Sequence, residues 1–85
     1  MKYKIFFLPA ARKEIIALPH EIQRRIDRKI LALADDPRPH DVKALHNEKG
    51  VYRVRVGDYR IVYSVEDKII TVIIVRVRHR KDVYR

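Results

Sequence analysis

The chain contains no cysteine and only two glycines in its 85 residues. Without thiols there is neither a disulfide framework nor a thiolate zinc site, so apolar burial must stabilise the fold, and the composition suits a reducing cytosol. No phosphate loop, glycine-rich nucleotide fingerprint, Ser-His-Asp order or paired carboxylates are present. His20, His40 and His46 stand in turns without metal-ligand spacing, so neither a metal nor a cofactor is expected. Long hydrophobic runs are missing as well. The stretch from Ile69 to Val75 falls far short of the roughly 20 residues of a membrane helix. The opening MKYKIFFLPAA carries an apolar run too short for a secretory signal. A cytoplasmic location away from membranes is the expectation.

What the chain has in excess is positive charge. Twenty lysines and arginines stand against eleven acidic residues, a formal net charge of +9. Up to position 50 there are eleven basic and seven acidic residues, and beyond it nine and four. A basic tail is therefore not the source. The field of so small a domain favours polyanions: nucleic acid, a ribosome, an acidic membrane face or an acidic protein.

The length sets a single domain, 1–85, with no internal repeat, linker or low-complexity segment. Residues 2–8 alternate weakly and are rich in Ile, Phe and Tyr, predicting a first strand. Pro9 ends it and is tolerated in a helix's first turn, so a helix over 10–17 follows, with Ala11, Ile15 and Leu18 on one face. Pro19 interrupts. A second helix is predicted over 20–34, where Ile22, Ile26, Ile30 and Leu33 form one apolar stripe and Arg24, Arg25, Arg28 and Lys29 take the remaining surface. Asp35-Asp36-Pro37-Arg38-Pro39 stops that helix, and 40–50 reads as a loop anchored by Leu45. Strands over 51–56, 59–65 and 68–77 follow, joined by Gly57-Asp58 and Glu66-Asp67 as tight hairpin connections. The order β-α-α-β-β-β predicts an α+β fold, an N-terminal helical hairpin packed on a small, mainly antiparallel twisted sheet.

Alternation at period two places Tyr52, Val54 and Val56 on one strand face and Arg53 and Arg55 on the other. Those two arginines stand about 7 Å apart, similar to neighbouring phosphates along an RNA strand. Arg60 opens the next strand. Arg76 and Arg78 end the last one, again two apart, and His79, Arg80, Lys81, Asp82, Val83 and Tyr84 follow. In a regular meander these groups meet on one concave patch. Each also has a plainer reading. Arg53 and Arg55 suit a solvated strand face, Arg60 a pair with Asp58 or Glu66, Tyr84 a packing role and His79 a surface group. Glu14, Glu21, Asp27 and Asp41 suit surface charges of helix and loop.

The chain resembles RelE-type toxins of the RelE/ParE superfamily, the mRNA interferases of type II toxin–antitoxin systems. The resemblance covers essentially the whole length and rests on the element order, on Lys43-Ala44-Leu45 before the sheet, on the stretch from Tyr52 to Tyr63 (YRVRVGDYRIVY), and on the tail from Arg78 to Arg85 (RHRKDVYR). The middle stretch is common to both branches of the superfamily. The tail, with its terminal aromatic and basic residues, resembles the nuclease members.

The resemblance implies a ribosome-dependent endoribonuclease that cuts mRNA in the ribosomal A site and so inhibits translation. The 2′-hydroxyl attacks the adjacent phosphate without a metal, leaving a 2′,3′-cyclic phosphate and a 5′-hydroxyl. Carried onto this sequence, Arg55, Arg60, Arg78 and Tyr84 form the catalytic set, and Arg53, Arg76, His79, Arg80 and Lys81 bind RNA phosphates. His79-Arg80 is a competing assignment to Arg78. Where some relatives carry lysines this chain has Arg53 and Arg55, and guanidiniums keep their protons. Proton movement then falls to Tyr84 or His79, or positioning carries most of the rate. A ParE-like DNA gyrase inhibitor and a non-catalytic RNA-binding module are the alternatives. The expected partners are the ribosome with its mRNA and a cognate antitoxin offering acidic and apolar residues, in a heterodimer or heterotetramer.

Overall fold

A computed structural model describes residues 2–45 and 48–82. Tyr84, expected in the catalytic set, lies outside the described residues. The first strand, β1 (Lys4–Phe7), gives way at once to helix α1 (Pro9–Ile16), with Pro9 as its first residue. Pro19 precedes helix α2 (His20–Asp35). Between the helices, the Gln23 amide donates to the carbonyls of Ile16 (3.2 Å) and Leu18 (2.8 Å). Those oxygens at the end of α1 have no helical partner, so one side chain of α2 closes the hairpin. Asp36, extended ahead of Pro37, stops α2. The apolar stripe is buried as expected at Ile26, Ile30 and Leu33, where each side chain removed from water contributes roughly 1.5–3 kcal/mol.

The sheet has five strands in the order β1-β5-β4-β3-β2, where β2 is Lys43–Ala44, β3 is Val51–Val56, β4 is Tyr59–Glu66 and β5 is Thr71–His79. β1 pairs parallel to β5 and every other pairing is antiparallel. The expected α+β architecture is thus present with one more strand than anticipated. β2 falls inside the segment expected to be loop. Gly57, at φ +60°, makes the left-handed first position of the two-residue turn between β3 and β4.

Val54, Ile61, Tyr63, Val65, Val72, Ile74 and Val77 point into the core with Ala11 and Ile15 of α1 and the stripe of α2. That list contains a change of phase. Val72 and Ile74 are even-numbered and Val77 is odd. The register accounts for it: Val62 opposes Arg76 whereas Tyr63 opposes Ile74, so Val75 is an extra residue, a β-bulge. A one-residue slip moves every later side chain to the other face. Without the bulge, Arg76 and Arg78 would point into the core; with it they share the outer face with Arg60 and Val62.

The connection from β4 to β5 also differs from the expected tight hairpin. Residues Asp67–Ile69 form a 3₁₀ turn and Ile70 adopts φ +50°, so β5 begins at Thr71 and not at 68. A left-handed isoleucine is sterically costly and persists only where its surroundings hold it. Contacts from distant segments do so. Arg38 grips Asp67 with two hydrogen bonds (2.7 and 3.3 Å) and donates through Nε to the Tyr52 hydroxyl (2.9 Å), while Tyr3 donates to the same carboxylate (2.7 Å). The Lys4 N–H donates to the Ile70 carbonyl (2.8 Å). The bonds from Arg38 and then Tyr3 hold the Asp67 carboxyl below the usual carboxylate range. Beneath this cluster the Tyr63 ring is fully buried, stacked 5.7 Å from Tyr52, and its hydroxyl donates to the Pro37 carbonyl (2.8 Å). Burial pushes the Tyr63 phenol up, keeping it a neutral donor.

Candidate functional site

The register brings three arginines into one line. Arg55 lies directly opposite Arg60, and Arg60 directly opposite Arg78. With strands about 4.8 Å apart, the row crosses about 10 Å of sheet. A second row runs one pleat away, where Lys43 opposes Arg53, and Val62 separates Arg53 from Arg76. Like charges at directly opposed sheet positions are destabilising. A face that nonetheless sets guanidinium against guanidinium suits an anion, whose oxygens accept forked hydrogen bonds from several of them at once. Arg53 and Arg55 make no ion pair among the described residues.

One end of the row is held differently. Past β1, the edge of β5 faces α1, and Glu14 of α1 accepts the Val77 N–H (2.7 Å). Its other oxygen accepts from Arg76 Nε (3.0 Å) and Nη2 (2.8 Å), and Arg78 Nε stands 3.7 Å away. Burial works to raise the Glu14 pKa, but the bonds from Arg76 and Val77 and the charges of Arg76 and Arg78 outweigh it, and the carboxyl sits below its ordinary range. Glu14, expected to be a surface charge, therefore anchors Arg76 of the expected RNA-binding set and Arg78 of the expected catalytic set, and closes an open strand edge.

The other end of the row opens into a cleft of about 230 Å³ lined by Asp41, Lys43, Arg53, Val54, Arg55 and Arg60. Asp41 pairs with Lys29 of α2 (2.7 Å), and the bond from Lys29 lowers its pKa. The described structure thus gathers Arg53, Arg55, Arg60, Arg76 and Arg78 on one face. It does not add His79 to them. His79 opposes Tyr59 on the other side of the sheet, its ring edge-on to Tyr59 at 5.2 Å and its Nδ1 accepting the Lys81 N–H (3.2 Å). The phase that turns Arg78 outward turns His79 inward, so proton transfer by this imidazole at the arginine row does not fit the structure. Arg80 and Lys81 lie in a 3₁₀ turn (Arg80–Asp82) beside the β3–β4 turn, where the Arg80 N–H donates to the Asp58 carbonyl (2.7 Å) and its guanidinium stands 3.8 Å from the Asp58 carboxylate.

The model of a protein family described as the ParE toxin of type II toxin–antitoxin system, parDE, matches residues 5–84. The chain belongs to this family. Toxin RelG of Mycobacterium tuberculosis is 38% identical over 88 aligned positions, covering all of this chain and 99% of that protein. The RelBE2 toxin–antitoxin complex from Mycobacterium tuberculosis contains a chain that superposes with a TM-score of 0.82 at 32% identity, covering 94% of this chain and 100% of that one. The archaeal RelE–RelB complex from Pyrococcus horikoshii OT3 gives a TM-score of 0.83 at 30% identity, covering 94% and 97%. The expected resemblance to the RelE/ParE superfamily is borne out, and the protein is a type II toxin of that group.

For this RelE/ParE toxin the sequence reading passed over two residues of the cleft, Lys43 and Asp41. A two-residue strand has no alternation to detect, so nothing marked Lys43 as a sheet residue facing Arg53. Asp41 lines the cleft while paired with Lys29 of α2, a contact between segments that no local pattern announces.

Proposed function

We propose that this toxin is a ribosome-dependent endoribonuclease that cleaves mRNA at the A site. The line of Arg55, Arg60 and Arg78 supports the reading most directly. A phosphodiester seated on it meets fixed donors aimed at the oxygens where charge builds as the 2′-hydroxyl attacks phosphorus. The new bond joins the 2′-oxygen to phosphorus, the bond to the 5′-oxygen breaks, and the products carry a 2′,3′-cyclic phosphate and a 5′-hydroxyl. Guanidiniums stabilise this charge without giving up a proton. Among the described cleft residues Asp41 is a carboxylate paired with Lys29, and Tyr84 remains the phenol expected near the end of the chain. The ribosome contributes by holding the codon in a fixed alignment for in-line attack.

The partner that silences the toxin is a cognate antitoxin, consistent with the toxin–antitoxin complexes among its structural neighbours. A surface for an apolar segment is at hand. β1 forms an edge of the sheet, and an apolar cleft of about 260 Å³ beside it is lined by Ile5, Phe7, Asp27, Ile30 and Leu31. Leu31 is exposed there.

Incubation with ribosomes carrying a programmed A-site codon tests the proposal. Cut message with a 2′,3′-cyclic phosphate end is expected, and intact message at toxin concentrations that stop growth overturns it. The family model's parDE description supports a second reading, inhibition of DNA gyrase. Loss of supercoiling activity with message left whole would establish that branch instead.

A further inference from the structure

On the helix side of the molecule a second basic surface begins where the first one ends. A groove of about 420 Å³ runs between α2 and the β3–β4 turn, lined by Arg25, Arg28, Lys29, Ala32, Arg55, Val56 and Gly57. Positions 25, 28, 29 and 32 follow the spacing of one helical stripe, so the cations of α2 point along one wall. This basic stripe flanks the apolar one, about a quarter turn around the helix, and faces the β3–β4 turn. Arg25 is fitted to its place. A methyl group at Gly57 would lie 3.2 Å from Nη2 and 3.3 Å from Nη1 of Arg25, so the bare turn is what lets this guanidinium lie against it. Lys29 is paired with Asp41, whereas Arg25, Arg28 and Arg55 make no ion pair among the described residues. Arg55 borders both this groove and the sheet-face cleft, making the two basic surfaces continuous.

The lining says which polyanion fits. Unpaired bases are held by aromatic stacking, and no aromatic residue lines this groove. Nor does it present the apolar row that a protein helix requires. Arginines three apart on a helix stand about 5–6 Å from each other, close to the spacing of consecutive phosphates, and base-paired RNA is recognised by its backbone.

We propose that the groove between α2 and the β3–β4 turn binds the phosphate backbone of base-paired RNA, beside the segment held on the sheet face. The proposal rests on the RNA reading of the sheet face only through the shared Arg55, and it requires no cleavage.

The test is fluorescence anisotropy of a labelled RNA hairpin with the full chain. The double variant Arg25→Ala/Arg28→Ala is compared with Lys13→Ala/Lys68→Ala, which removes the same charge from exposed positions outside the groove. Thermal melts check that both variants are folded. The groove variant is expected to bind the hairpin about tenfold more weakly and to lower the slope of log affinity against log salt by about two, with a much smaller loss in the control. A single-stranded RNA of equal length should lose less than the hairpin. Equal losses in the two variants overturn the proposal. So does an unchanged salt slope, or a groove variant that keeps the hairpin but loses an acidic polyglutamate peptide. Cleavage is not read in this assay, so a toxin that binds the hairpin through the groove yet cuts no message would sink the nuclease reading alone.

Discussion

Arg38 and Arg60 show two uses of one side chain. Arg38 meets a carboxylate, a phenol and the face of Tyr52, and every partner belongs to a segment far away in sequence. It ties the end of α2 to β3 and to the turn before β5. Arg60 stands between Arg55 and Arg78, guanidiniums on either side. The first arrangement ties distant segments of the fold together, and the second concentrates like charge on one face. An arginine that ties the fold together is therefore recognised by the distant segments it touches, and a face that suits an anion by the like charges set side by side on it.

The sharpest way to break this comparison is to exchange the two losses. Arg60→Ala should lower message cleavage about 10²–10³-fold, the cost of removing one oxyanion donor, while changing the melting temperature less than Arg38→Ala does. Arg38→Ala should do the reverse, lowering the melting temperature while cleavage per folded molecule persists. A loss of both properties in each variant would erase the distinction. Next in size is Tyr63→Phe, which leaves the Pro37 carbonyl without its buried donor and should destabilise by roughly 1–2 kcal/mol in chemical denaturation. A neutral result would mean that the hydroxyl does not hold the α2–β2 connection.

The smallest effect is at Glu14 and fades in acid. Its carboxyl has a lowered pKa in the fold, so it contributes stability above the unfolded carboxylate value and loses it as pH falls through the folded one. Glu14→Gln should therefore cost stability at neutral pH and flatten the decline below about pH 4. Denaturation curves at pH 7 and pH 3 measure this. Parallel curves for wild type and variant at both values would remove Glu14 as the anchor of Arg76 and Arg78.

Much of the frame was readable from residue order, and particular residues show why. Ile26, Ile30 and Leu33 announced α2 because a helical stripe is a local pattern. Tyr52, Val54 and Val56 announced the inner face of β3 for the same reason. Lys43–Ala44 did not announce β2, since pairing with Arg53 and Tyr52, not local pattern, makes it a strand. The turn at Asp67–Ile70 was misjudged because Arg38 and Tyr3 shape it from a distance. At the site, Arg60 followed from the family resemblance, and Arg53 and Arg55 from alternation alone. Arg78 and His79 did not, because their sides are decided by Val75. Positions 72 to 75 are apolar throughout, so residue order does not say which of them lie inward; the burial of Val72, Ile74 and Val77 does.

That single surplus residue has a consequence for how this protein can change. Inserting one residue after Val75, with the bulge kept, would leave the charge and every neighbouring side chain as they are, yet would turn the far end of β5 inside out. Two guanidiniums would be driven into oil and Val77 out into water. The last strand is thus far less forgiving of a changed length than of a changed side chain, much as a reading frame is.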